Sequence, residues 1–172
     1  CMKPTKMVQM YPTAYLKGEG AVARFSGVVV AGTGSYVDTG SRAVLQAPNT
    51  SAELVTRAIT NGGTIISRGA VVAECPKTKG HIECRGLILK DGVMHAIPEI
   101  EGHVVDVELS HEAAVGKIAR DEIEYLMARG LSEEEATATI IRGFLDIKIE
   151  GLPPALQKQI DAAIDSADNE GY

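Results

Sequence analysis

The sequence predicts a mainly β protein, built as a solenoid of short strands and closed by a small α-helical domain. Three observations carry that expectation. Up to about Gly116, apolar residues come in short β-branched bursts, each ended by Gly, Pro or Asn. Aromatic residues make up only 4% of the chain, with no Trp, which is poor material for a β-sandwich core. From Ala119 onward the apolar residues recur with the period of a helix.

The bursts lie at 21–31, 43–46, 64–67, 70–73, 87–89 and 104–109. In the last of these Val105, Val107 and Leu109 alternate with Asp106, Glu108 and Ser110, as in a strand with one buried face. A weak repeat runs through the region. Arg42, Arg57, Arg68 and Arg85 each precede a small residue and aliphatics, at uneven spacings of 15, 11 and 17. Rungs of small and aliphatic side chains suit a solenoid, where each coil buries its inward residues against the coils above and below. A β-sandwich is the competing architecture.

In the last third, Ile123, Leu126 and Met127 form an apolar stripe opposite Asp121, Glu122 and Glu124, and Arg129-Gly130 ends that helix. Ser132 with Glu135 makes a capping box for a second helix, whose apolar face is Ala136, Ile140, Ile141, Phe144 and Leu145. Pro153-Pro154 open a third, with Leu156, Ile160 and Ile164 in line. Such helices either pack on the β body or offer a docking surface.

Charge divides the chain in the same place. Residues 1–116 carry 11 Lys and Arg against 11 Asp and Glu, whereas 117–172 carry 6 against 12. The net charge of −6 therefore belongs to the helical end, and two regions, 1–116 and 117–172, are expected. An acidic chain lacks the basic footprint of a nucleic-acid binder. No apolar run approaches the length of a membrane span, the longest candidate being Val28-Val29-Val30-Ala31, and Gln9 to Thr13 stand where a secretory leader would be apolar. Three cysteines do not make a disulfide framework, so the reducing cytoplasm is the expected compartment.

Cys84, His111 and Glu112 are the leading candidates for chemistry, with Cys75, His81, His95 and His103 as a second set. Cys75, His81 and Cys84 lie close in sequence, and a set of thiolate and imidazole can hold zinc or iron. Cys75 and Cys84 nonetheless lack the short Cys-x₂₋₄-Cys spacing of a structural zinc site. Cys84 shares strand parity with Ile82, and from spacing alone burial as a core thiol is the better account of it. His111-Glu112 falls where the alternating strand gives way to helix, and Ser110 there reads as a helix cap. Gly18-x-Gly20 and Gly32-x-Gly34 lack the rest of a phosphate-binding motif, and no Gly-x-Ser-x-Gly elbow occurs.

Read together, several stretches resemble the C-terminal half of the SufB/SufD family. They are Tyr11-Pro12 with Leu16-Lys17-Gly18-Glu19-Gly20-Ala21, Val37-Asp38-Thr39-Gly40, Ala47-Pro48-Asn49-Thr50-Ser51, Ser67-Arg68-Gly69, His95-x-x-Pro98, His111-Glu112-Ala113-Ala114-Val115-Gly116-Lys117-Ile118, and Tyr125-Leu126-x-x-Arg129-Gly130-Leu131-x-Glu133-Glu134-Glu135-Ala136. The resemblance covers essentially residues 10–150 and implies a right-handed parallel β-helix followed by a small helical domain. It also implies a non-enzymatic scaffold for a transient iron-sulfur cluster. The helical domain would dock on the ABC-type ATPase SufC, here through Glu133, Glu134, Glu135 and Ile140. Two subunits would pair through their β-helices, as a homodimer or as a SufB/SufD-type heterodimer. By position, Cys84 matches the cysteine that SufB uses near that interface, Glu112 its nearby carboxylate and His111 the histidine that SufD contributes. The length then reads as the C-terminal half of a larger scaffold. A β-solenoid with a structural or ligand-binding role and no cluster chemistry is the alternative.

Overall fold

The computed structural model describes residues 5–145 together with Leu156 and Lys158. The described residues form nine strands: β1 (Met7–Met10), β2 (Thr13–Leu16), β3 (Val22–Gly32), β4 (Tyr36–Leu45), β5 (Ser51–Asn61), β6 (Thr64–Ala73), β7 (Thr78–Leu89), β8 (Val93–Gly102) and β9 (Val107–Gly116). Two helices follow, α1 (Arg120–Met127) and α2 (Glu133–Leu145). In sheet A, β1 and β2 both pair with β4, which is followed by β6 and β8; sheet B runs β3, β5, β7, β9. Neighbouring strands in both sheets are parallel. The result is a β-solenoid of about four turns, as expected, and among the described strands every pairing is parallel, unlike a β-sandwich.

Each coil is 28 or 29 residues long: Val22 pairs with Ser51, Ser51 with Lys79, and Lys79 with Glu108. The arginine repeat belongs to this period only in part. Arg57 and Arg85 are partners across β5 and β7, whereas Arg42 stands beside Ala70 and Arg68 beside Gly40. A clearer repeat lies at the turns. Ala47-Pro48-Asn49-Thr50 and Cys75-Pro76-Lys77-Thr78 occupy equivalent positions, with Thr50 Oγ1 donating to the Ala47 carbonyl at 2.8 Å and Thr78 Oγ1 to the Cys75 carbonyl at 3.0 Å. Gly20, Asn49, Lys77 and Asp106 all take left-handed φ values, between 59° and 70°, so the chain reverses in the same way at each coil.

Strand alternation sorts the side chains. Between the sheets, one cluster contains Leu16, Ala43, Leu45, Ala52, Leu54, Val71, Ala73 and Ile82, and a second contains Val29, Ala31, Val37, Ala58, Ile65, Cys84 and Met94. Each fully buried Val, Leu or Ile stabilises the stack by about 1.5–3 kcal/mol. Glycine makes room where a large neighbour crosses the interior: a Cβ on Gly86 would lie 2.1 Å from the Met94 sulfur. Arg68-Gly69 does not interrupt a strand, so 64–67 and 70–73 are one strand, β6. The stretch 93–102, which carries no alternation in sequence, is β8.

The helices begin where the period changes. Gly130 adopts φ 99°, ending α1 as the glycine predicts. Ser132 and Glu135 cap α2 reciprocally: the Ser132 N–H donates to Glu135 Oε2 at 2.8 Å, and the Glu135 N–H to Ser132 Oγ at 3.2 Å. Buried Ile141 and Leu145 of α2 meet Ile59, with Val28, Leu87 and Leu89, on the outer face of sheet B. The expected third helix lies outside the described residues, apart from Leu156 and Lys158.

Candidate functional site

Cys84 points inward from β7, on the parity of Ile82, and is 5% exposed. Its Sγ donates to the Ser67 hydroxyl of β6 at 3.2 Å, a bond that crosses the interior from sheet B to sheet A. Burial pushes the Cys84 thiol above its ordinary range; the Ser67 hydrogen bond and the Arg57 guanidinium pull it the other way and only partly offset burial. The resting group is a protonated, hydrogen-bonded core thiol.

His111 and Glu112 belong to β9 and not to a strand-to-helix junction, so Ser110 caps no helix. The strand runs on to Gly116 because the solenoid continues its backbone ladder there, with Ala113 and Ala114 opposite Cys84 and Arg85. His111 pairs with Ile82 and therefore shares the inward face with Cys84, one strand over and on the diagonal. It is exposed, since β9 is the last strand of sheet B. Glu112 is the next residue and faces outward. There it accepts from Arg85 Nη2 at 3.0 Å. Arg85 Nε lies 3.0 Å from Glu83 Oε1, and Arg57 pairs with the same oxygen. Arg57 and Arg85 are stacked like charges held together by Glu83, and Glu112 ends the chain of alternating sign.

The fold thus brings Cys84 and His111 to one face and sets Glu112 on the other. Among the described residues, no three of His, Cys, Asp and Glu are grouped to hold a metal ion. The second set is dispersed. Cys75 lies in a turn before β7, and its carbonyl accepts from Thr78. His81 faces outward, its Nδ1 2.9 Å from Ser110 Oγ, in a groove of about 380 Å³ lined by Arg24, Glu53, Lys79 and Glu108. His95 is exposed on β8, and His103 Nε2 lies 3.2 Å from Glu101.

On the helices, Glu135 is taken up in the cap of α2, and the Ser132 hydrogen bonds, backbone first, hold its carboxyl below the usual range. Glu133 pairs with Arg120 of α1. Glu134 makes neither kind of contact with the described residues, and Ile140 is half-buried. Two partners escaped the sequence reading. Ser67 carries no motif that points to Cys84, and Arg85 entered only as part of the arginine repeat. The 28-residue turn repeat would have indicated Arg85, because it places Arg57 beside Arg85 and sets Glu112 one coil above Glu83; nothing in that repeat brings Ser67 to Cys84.

These features define a parallel β-solenoid with a helical end, an inward-facing cysteine and, on the last strand of sheet B, an inward-facing histidine. Residues 4–144 match the family model described as "SUF system FeS cluster assembly, SufBD core domain". The chain belongs to that family. It is 52% identical over 170 residues to an iron-sulfur cluster assembly SufBD family protein of Archaeoglobus fulgidus, covering 98% of this chain and 46% of that protein. A Methanothermobacter thermautotrophicus relative of the same description is 46% identical over 164 residues, 94% of this chain and 40% of the relative. A third, from Pyrococcus horikoshii, is 38% identical over 160 residues, 92% and 36%. The chain spans less than half the length of these relatives. Among the described residues no helix is long and apolar enough to cross a membrane.

Proposed function

We propose that this chain is a non-enzymatic scaffold on which an iron-sulfur cluster is assembled as cargo at the β8 and β9 end of the solenoid, and that a SufC-type ATPase docks on its helices. The observation that carries this is the placement of Cys84 and His111 on one inward face at that end. Once its proton is displaced by iron, the Cys84 sulfur can bind the metal as a thiolate, and imidazole can fill a labile position beside it. Two donors are too few for a closed cage, which suits a cluster that is handed on. The remaining donors come from a second subunit.

The strand edges favour a particular way of pairing. The Val93 N–H donates to Gly63 and the His103 N–H to Ala73, both on the side of β6. Alternation along a parallel ladder therefore turns the Pro98 nitrogen, five residues from each, to the open edge. Proline has no N–H to donate, so the edge of β8 is blunted at its centre. The same alternation, carried from Ser51 and Lys79 to their partner Glu108, leaves the N–H groups of Leu109, His111, Ala113 and Val115 at the open edge of β9. A second copy adding its own β9 there gives a homodimer with two Cys84 and two His111 side by side. Glu112 joins the ligand set only after leaving Arg85.

Anaerobic reconstitution with ferrous iron and sulfide tests the reading. The protein should gain visible absorption and acid-labile sulfide, and Cys84→Ser should greatly weaken both. An unchanged spectrum in that variant removes Cys84 from the ligands. For the ATPase, Glu134→Arg and Ile140→Asp should weaken capture of SufC while leaving the α2 cap in place. Equal capture overturns that surface.

A further inference from the structure

Each coil of the solenoid roofs the one before it, and the roof over Cys84 is unusually thin. The last coil turns Met94, Ala96, Pro98 and Ile100 inward from β8, and Val107, Leu109, His111, Ala113 and Val115 inward from β9. Large side chains cover most of the layer below: Met94 stands over Ile65, Ile100 over Val71 and Leu109 over Gly80. Over the Cys84–Ser67 contact that crosses this interior the residues are small. Ala96 stands over Ser67, and Ala113 over Cys84.

Cys84 keeps 5% of its surface and Ser67 keeps 3%, whereas Ala58 and Ile65 in the same cluster keep none. Ala113 itself is exposed. Packing alone would favour larger groups at these two places, since an aliphatic side chain there would bury more apolar surface and fill the end of the core. We infer that Ala96 and Ala113 are the access-determining residues for Cys84: at the last described coil, before a second copy pairs there, their two methyl groups admit small soft reactants to the thiol and turn large ones away. The inference rests on Cys84 being the working thiol of the proposed scaffold and adds how reactants reach it. The route runs along the inner faces of β8 and β9, past His111. It avoids the outer face, where Glu112 and Arg85 sit.

The test is alkylation of the intact 172-residue chain by iodoacetamide, with modification of Cys84 followed by peptide mass and Cys75 as the internal reference. Ala113→Leu thickens the roof and should slow Cys84 relative to Cys75 by about tenfold, the reagent then depending on rarer local opening. Ala96→Val should act in the same direction, and Ala113→Gly should speed the reaction without adding bulk to the fold. Ala114→Leu places the same bulk on the outward face and should leave the ratio unchanged. Equal ratios in Ala113→Leu, Ala96→Val and the parent chain overturn the inference, as does equal slowing by Ala114→Leu. The cluster reading fails separately: Cys84→Ser that still yields the full chromophore sinks the scaffold site and leaves the order of alkylation rates untouched.

Discussion

The two faces of sheet B are made from the same strands and do opposite work. Inward, Leu54, Ile82, Ala58 and Cys84 are nearly dry and packed between the sheets. Outward, the same strands carry Arg24 with Glu53, Lys79 with Glu108, and the chain Arg57, Glu83, Arg85, Glu112, until α2 covers Ile59 at their far end. One residue of offset moves a side chain from one regime to the other. This is why Cys84 is a protonated thiol beside a serine while Glu112 is an ion-paired carboxylate. It is also why His111 and Glu112, adjacent in sequence, face opposite sides of β9.

The comparison can be broken hardest from inside. Ile82→Asp puts an unpaired carboxylate among Leu54, Leu16 and Val71 and should cost more than about 4 kcal/mol, seen as loss of a cooperative thermal transition. Ile141→Ala strikes the covered end of the outer face and should cost about 2–4 kcal/mol, with helical circular dichroism lost before the β signal. On the open outer face the effects shrink. Arg57→Ala leaves the mostly buried Glu83 with Arg85 alone and should cost about 1–2 kcal/mol in urea unfolding. Arg24→Ala, whose pair with Glu53 is half exposed, should cost less than about 1 kcal/mol. An Arg24 effect equal to that of Arg57 would erase the distinction between the two stretches.

The smallest effect belongs to the helical end and depends on pH. The Glu135 carboxyl is held below its ordinary range in the folded chain, so its contribution is present above the unfolded pKa and is lost as pH falls through the folded one. The α2 signal should therefore weaken in acid. Glu135→Ala should weaken it at neutral pH and flatten its dependence across the carboxylate range. A variant that titrates like the parent would show that the cap does not hold α2.

Several features were legible in the sequence because their causes are local. The start of helix after Ala119, the Ser132 cap, the Gly130 stop and the inward parity of Cys84 each depend on residues within a few positions of one another. The strands seen only in part or not at all lack the usual signals: β8 contains Pro98 and Glu99, β5 showed only Ala58-Ile59 after Arg57, and β7, of which the burst at 87–89 was visible, opens on Thr78, Lys79, Gly80 and His81. They are strands because the coil beneath offers a ladder in register, and side-chain pattern adds little. The Pro-x-Thr turns at 47–50 and 75–78 hold the coil length, yet a repeat of 28 or 29 residues interrupted by variable turns is easily lost among shorter spacings.

By itself the sequence determined that this chain would be β and then helix, poor in aromatics, acidic at its end, and similar to a family of iron-sulfur assembly proteins. Only the tertiary structure decided that Cys84 meets Ser67 rather than Glu112, that Arg85 holds Glu112 outward, and that β9 rather than β8 carries the unblunted edge. Contacts between residues 17 or 27 positions apart depend on how many residues each coil consumes. That count is set by the packing of whole coils on one another, and no local stretch of sequence contains it.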